Sequence, residues 1–283
     1  MDIVDSQIHL FLNTGVEGGL AAMDALGIQA ALIDEFWGYP PGSDVPPPGH
    51  FVKGDVFRPL APGAQMASLK HPDRFSYLLR VDHRDPEIES LVRQTAANPV
   101  ARAVRVEARK ESELRELVNG DYARAFECAA RYNIPLGVLT VDNAQLLEPY
   151  AQRFPDTTII IDHIGLPSTL EGYETVLRLA KYPNIVLKWC HAPRVFNHFD
   201  YPFQPIMPLM RRALDAFGRE RVMWASDFTA VRTGHRWADI LFYIRDSSSL
   251  SREDKEWVLG KTARKVLNWP APEAPAAPTL QRH

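Results

Sequence analysis

Four side chains of this 283-residue sequence carry groups that can move a proton and hold a carbonyl. Gln7 and His9, in Asp5-Ser6-Gln7-Ile8-His9, are two residues apart, so on a strand they share one face. His163 stands in Ile161-Asp162-His163-Ile164-Gly165, and Asp227 closes Trp224-Ala225-Ser226-Asp227. Each has a plainer reading. A lone histidine at the end of a strand is commonly a hydrogen-bonded structural residue, and Asp227 before Phe228 can cap a helix. Together, an amide, two imidazoles and a carboxylate make an acid–base set, provided that a fold gathers three distant segments at one place.

The surrounding pattern predicts such a fold. Short β-branched runs recur at 2–9, 29–34, 75–82, 100–107, 134–140, 157–163, 184–190 and 221–227. Amphipathic stretches at 86–97, 113–131, 144–154, 170–181 and 207–217 separate them. Strands alternating with helices imply βαβ units and a parallel sheet. The run Thr157-Thr158-Ile159-Ile160-Ile161 is apolar on both faces, as a sheet covered by helices requires. Eight strands in a chain of this length suit a closed (β/α)8 barrel, which takes roughly 250 residues. The other α/β solution, a doubly wound open sheet, lacks its usual Gly-x-Gly-x-x-Gly turn here. In a barrel the catalytic groups sit at the C-terminal strand ends, and all four residues fall there.

Composition bounds the rest. The chain is 46% hydrophobic and 24% charged with a net charge of −3, a globular profile with no basic stripe for nucleic acid. No apolar run approaches the ~20 residues that span a bilayer. The N-terminus lacks a signal-peptide pattern, so a cytoplasmic location is the default expectation. Two cysteines, Cys128 and Cys190, cannot build a disulfide framework and are expected to be small buried residues. Residues 36–62 form a long Pro- and Gly-rich connection after the second strand. Its aromatics, Phe36 and Trp37 among them, suggest a packed lid. The barrel is expected over 1–269, with 270–283 an extended Pro/Ala-rich tail.

With these blocks assembled, the chain resembles the amidohydrolase superfamily, above all its branch of sugar-acid and pyrone-dicarboxylate lactonases. The resemblance rests on the Asp5–His9 block, on Asp162-His163-Ile164-Gly165-Leu166-Pro167 and on Trp224-Ala225-Ser226-Asp227. It runs in family order to the closing segment 260–269. Most members carry His-x-His on the first strand, where this chain has Gln7. The fifth strand, Pro135-Leu136-Gly137-Val138-Leu139-Thr140, offers none of the further metal ligands that metal-dependent members use. A catalytic zinc normally takes three strong protein donors, and an amide oxygen is a weak one. The expectation is therefore a cofactor-free site, with a divalent metal, zinc or manganese, as the alternative, since His9, His163 and Asp227 still make three donors.

Two arginines point to an anionic substrate, because guanidinium suits bidentate carboxylate recognition. Arg105, in Ala103-Val104-Arg105-Val106, is similar to a Gly-Val-Arg-Phe block of the lactonases. Arg194, in Cys190-His191-Ala192-Pro193-Arg194, follows the seventh strand where those relatives place a carboxylate-binding arginine. The plainer reading pairs either with an acid such as Glu107. His191 and Arg109 are weaker candidates, and Lys188 resembles a structural lysine of the family.

The resemblance and the residue set together imply a hydrolase that opens the lactone ring of a small carboxylated, ring-derived catabolite. Asp227 would activate water, with His9, His163 and Gln7 on the carbonyl. Arg105, Arg194, His191, Phe36 and Trp37 would hold the substrate. A metal-dependent decarboxylase or hydratase and a catalytically silent ligand-binding barrel are the competing readings.

Overall fold

The runs that are apolar on both faces become eight strands of one parallel sheet. In the computed structural model, which describes residues 1–10, 15–35, 49–228 and 235–271, these are β1 (Val4–Ile8), β2 (Ala30–Asp34), β5 (Phe75–Arg80), β6 (Ala101–Ala108), β7 (Leu136–Thr140), β8 (Ile159–Ile161), β9 (Ile185–Trp189) and β10 (Val222–Trp224), paired in that order. The sheet curls until its first and last strands meet. Ser6 Oγ donates to the Trp224 carbonyl at 2.7 Å, and the Asp227 N–H donates to the Gln7 carbonyl at 2.9 Å. Asp5, fully buried between the two strands, accepts from the Ser226 N–H at 2.9 Å and from Trp237 Nε1 at 2.8 Å. The architecture is the expected (β/α)8 barrel.

Helices cover the outside. They include α1 (Gly15–Leu26), α2 (Pro62–Lys70), α3 (Ile88–Ala97), α4 (Glu111–Asn119), α5 (Ala123–Arg131), α6 (Glu148–Arg153) and α7 (Leu170–Arg178). After β9 come α8 (Ala192–Val195) and α9 (Met207–Phe217), and after β10 come α10 (Trp237–Arg245), α11 (Arg252–Glu256) and α12 (Thr262–Val266). The single helix expected over 113–131 is two. Gly120 adopts φ +90°, which ends α4 with a left-handed residue, and the chain re-enters a helix at Ala123. None of the described helices is long and apolar enough to cross a membrane.

The long connection after β2 is partly regular. Its second half forms an antiparallel hairpin of β3 (Gly49–Lys53) and β4 (Val56–Pro59), in which the rings of Phe51 and Phe57 meet edge-on at 5.4 Å. Phe36 and Trp37 lie outside the described residues, as does the tail from 272.

The bottom of the barrel is closed by the C-terminal segment. Arg264 holds Asp2 with two contacts of 2.9 and 3.0 Å, and Ala263, Leu267 and Trp269 pack against the barrel interior. Gly260 lies so close to the first strand that a Cβ there would sit 1.9 Å from the Asp2 carbonyl oxygen. Only glycine fits.

Candidate active site

The barrel interior is layered, as side-chain alternation along tilted parallel strands requires. The lowest layer is apolar and contains Leu32, Leu78, Ala103, Ile160 and Val186. Two residues further along the same strands stand Asp34, Arg80, Arg105, Asp162 and Lys188. A hydrocarbon floor thus carries a charged layer. The first strand joins it through a β-bulge. Asp5 pairs with Ala31 but Ile8 with Ile33, three steps against two. The extra residue leaves Val4 in the inner cluster and Ile8 in the outer one, and it turns Gln7 into the charged layer.

That layer is a closed lattice. Arg80 grips Asp34 with Nε and Nη2 at 2.7 Å each and reaches Glu107 at 2.9 Å. Arg105 donates from Nε to Asp162 at 2.5 Å and from Nη1 to Asp34 at 2.9 Å and Glu107 at 3.1 Å. Lys188 meets the other Asp162 oxygen at 2.6 Å. Gln7 bridges the ends, taking a hydrogen bond from Lys188 Nζ at 2.8 Å and giving one to Asp34 at 3.2 Å. Three cations face three carboxylates, so burial is tolerated because the charges balance. Burial alone would raise the Asp34 pKa, but Arg80 and Arg105 hold it down at about 2. Asp162 is held still lower by Lys188 and Arg105.

Above the lattice, at the strand ends, lies the acid–base cluster. Asp227 Oδ1 is 2.7 Å from His9 Nε2, and its Oδ2 accepts from His191 Nε2 at 2.6 Å. His163 Nε2 is 3.9 Å from Oδ2. His9 Nδ1 donates to the Asp34 carbonyl. Both nitrogens of His9 therefore face oxygens, which requires an imidazolium. Burial opposes that charge, yet the Asp227 carboxylate outweighs it and moves His9 above its ordinary pKa. Asp227 is itself held well below the carboxylate range, against its burial, by His9 and His191. Burial and the neighbouring His191 push His163 well below its ordinary value, so it is neutral. Asp227 and His9 are each 3% exposed, whereas His191 reaches solvent at 15%.

A family model described as amidohydrolase matches residues 4–269. The chain belongs to the amidohydrolase family. Among solved structures this amidohydrolase is similar to one from Burkholderia multivorans with bound zinc, at 17% identity and a TM-score of 0.72 over 95% of this chain and 100% of that one. It is also similar to a structure from Acinetobacter baumannii described as a probable 2-pyrone-4,6-dicarboxylic acid hydrolase with citric acid bound (14% identity, TM-score 0.68, 95% and 100% covered). A third is a 5-carboxyvanillate decarboxylase from Novosphingobium aromaticivorans complexed with manganese (15% identity, TM-score 0.57, 88% and 79% covered). At these identities the likeness is one of fold. An uncharacterised protein of Sinorhizobium fredii is 34% identical over 83 residues, 28% of this chain and 27% of its own length.

Of the residues singled out from the sequence, the barrel brings His9, His163 and Asp227 together and adds His191. Gln7 does not join them, since both ends of its amide are engaged in the charged layer below. Arg105 is likewise engaged: it is 2% exposed and bound to three acids, as the plainer pairing with Glu107 anticipates. Arg194 stands exposed on α8 and makes no ion pair among the described residues. Sequence reasoning missed Asp34, Arg80 and Asp162 as lattice members and Cys190 as a neighbour of the cluster. For Asp34, Arg80 and Asp162 the signal is a position two residues beyond the apolar inward-facing Leu32, Leu78 and Ile160; Cys190 instead stands two beyond the charged Lys188.

The expectation of a cofactor-free site does not account for the donors present. His163, Cys190, His191 and Asp227 place one ligand atom each within 4.8 Å of one another. Imidazole, thiol and carboxylate are donors that a zinc-type ion accepts, and His163 Nδ1 is a buried polar atom with no hydrogen-bond partner. The residues present fit a divalent ion.

Proposed function

We propose that this amidohydrolase opens the ring of a small carboxylated lactone by general-base hydrolysis. The supporting observation is the setting of Asp227 after β10, with one carboxylate oxygen 2.7 Å from His9 Nε2 and the other 2.6 Å from His191 Nε2. Asp227 takes a proton from water as the water oxygen adds to the ester carbonyl. His163, neutral and 3.9 Å from the same carboxylate, would hold the oxygen that becomes negative, while His191 keeps its hydrogen bond to Asp227. When the ring C–O bond breaks, the proton returns through Asp227 to the leaving oxygen. An ion held by His163, His191 and Asp227 would supply Lewis-acid polarisation of the carbonyl.

The depressed pKa of Asp227 limits the substrate class. A weak base suits attack on an activated acyl group such as an enol-ester lactone and is poorly matched to an amide. Carboxylate binding falls to Arg194 at the mouth. A second anchor lies in a cavity of about 170 Å³ beside the ends of β5 and β6, lined by Phe57, Arg80, His83, Arg84, Arg105 and Glu107. Arg80 is 14% exposed there and the better placed of the lattice arginines.

Decarboxylation is the second reading. It is favoured by the metal-compatible donor set together with the fold shared with the manganese-bound decarboxylase. A panel of carboxylated lactones and aromatic carboxylates, assayed with a pH indicator and for CO2 release, separates the two. Lactone hydrolysis yields acid, decarboxylation yields CO2. Asp227→Asn is expected to lower kcat by roughly 10²–10⁴-fold with an unchanged circular-dichroism spectrum. A near-normal kcat would remove Asp227 from the base role.

A further inference from the structure

We propose that this chain holds one zinc-class divalent ion on the β8–β10 side of the barrel, through His163, His191, Asp227 and the Cys190 thiolate. The site is displaced from the first strand because Gln7 cannot contribute, its amide oxygen and nitrogen being engaged by Lys188 and Asp34.

Three observations converge on this set. The four donors come from the ends of three consecutive strands, and their ligand atoms already lie within 4.8 Å of one another. Zinc bonds of roughly 2.0–2.3 Å put tetrahedral donors about 3.3–3.8 Å apart. The set therefore has to contract by about an ångström, while the 2.6 Å contact between His191 and Asp227 opens by a comparable amount. Both movements are within side-chain rotation.

The backbone supplies the second observation. His163, His191 and Asp227 have φ of +51°, +56° and +48°, so three non-glycine donors are held in the left-handed region at successive strand ends. Such residues cost roughly 1–3 kcal/mol each and persist where surrounding structure over-determines them, commonly at functional sites.

The third is the support around the donors. His9 grips the outer oxygen of Asp227 and is itself fixed by the Asp34 carbonyl, the kind of outer contact that orients metal-bound carboxylates. Cys190 follows by two residues Lys188, which is locked into the charged lattice by Asp162 and Gln7, so the strand end that carries the thiol is anchored. Cys190 binds as the thiolate, its proton leaving to solvent. Two imidazoles and a thiolate favour zinc or cobalt over magnesium, calcium or manganese.

The test uses the full-length protein stripped of metal with a chelator and reloaded with Co(II) or Zn(II). We expect one ion per chain by elemental analysis. The Co(II) form should show a thiolate-to-cobalt charge-transfer band in the near ultraviolet, which disappears in Cys190→Ser while the visible d–d bands remain. Cys128 is the sole other cysteine and lies in the helix-covered core, so the band has one possible source. The Zn(II) Kd should rise at least about tenfold in Cys190→Ser. X-ray absorption of the zinc-loaded wild type, which needs no variant, should show one sulfur scatterer at about 2.3 Å. Failure to retain Co(II) or Zn(II) would overturn the assignment, as would an absorption spectrum without a sulfur shell or a Co(II) spectrum unchanged by Cys190→Ser. None of these readouts depends on turnover, so they stand apart from the lactonase reading.

Discussion

Replacing Arg105 by methionine separates two roles that a buried arginine at a strand end can have. Methionine keeps the aliphatic volume and removes the guanidinium. The contacts to Asp162 at 2.5 Å, Asp34 at 2.9 Å and Glu107 at 3.1 Å disappear together. Asp34 keeps its paired contact with Arg80, and Asp162 keeps Lys188, so no acid is left wholly alone. The lattice nevertheless changes from three cations and three carboxylates to two and three, an uncompensated negative charge at a site 2% exposed. Breaking a buried pair in this way costs about 3–5 kcal/mol, a large share of the roughly 5–15 kcal/mol that holds a native domain together. With a urea m-value near 3 kcal/mol/M, the unfolding midpoint should fall by about 1 M or more. Adding Asp162→Asn restores the charge balance, and the double variant should recover about 0.5–3 kcal/mol relative to additivity. Urea titrations followed by tryptophan fluorescence and circular dichroism measure all three proteins. A midpoint within error of the wild type, together with a KM raised tenfold or more, would refute the lattice role and make Arg105 a substrate anchor.

Three further outcomes follow from the same geometry. Arg194→Met should raise KM by roughly 10–100-fold, the loss of a charge-assisted hydrogen bond, with kcat little changed; an unaltered KM removes Arg194 from substrate binding. Gly260→Ala should destabilise the barrel by about 1–3 kcal/mol or more, because its methyl group meets the Asp2 carbonyl, and a thermal melt equal to that of the wild type would contradict the close approach. Acid should weaken the fold in a definite window. Asp34 titrates at about 2 in the folded chain, below its ordinary 3.8, so its contribution is complete above about pH 4 and is lost as pH falls toward 2. At 1.36 kcal/mol per pKa unit this amounts to roughly 2 kcal/mol, and Asp162 adds a loss of the same sign. Stability measured by urea unfolding from pH 5 to pH 2 checks it, a flat profile being the contrary result.

Much of the site was legible from local pattern. Alternating β-branched and amphipathic runs imply a parallel barrel, and the rule that chemistry sits at C-terminal strand ends selects His9, His163 and Asp227 without further information. The break at Gly120 was not anticipated, because the amphipathic pattern runs on through 113–131 and only the left-handed backbone of that glycine divides it. The pairing of Arg105 with Glu107 follows from two residues on one strand face, although the sequence alone left it level with a substrate role.

Residue types and their spacing determined the fold class, the strands that carry the acid–base groups and the absence of a first-strand histidine at position 7. The tertiary structure alone decided what those groups do. Whether the amide of Gln7 faces the mouth or the floor depends on a one-residue bulge and on Lys188 arriving from β9, two strands away across the closure. Whether Arg105 is available depends on Asp34 and Asp162 occupying the same layer. Cys190 becomes a neighbour of Asp227 only through the register in which β9 pairs with β10. Strand alternation is a local property that a sequence displays. The level at which two strands meet is set by register and closure, and a buried charge is neutralised by whatever shares its level.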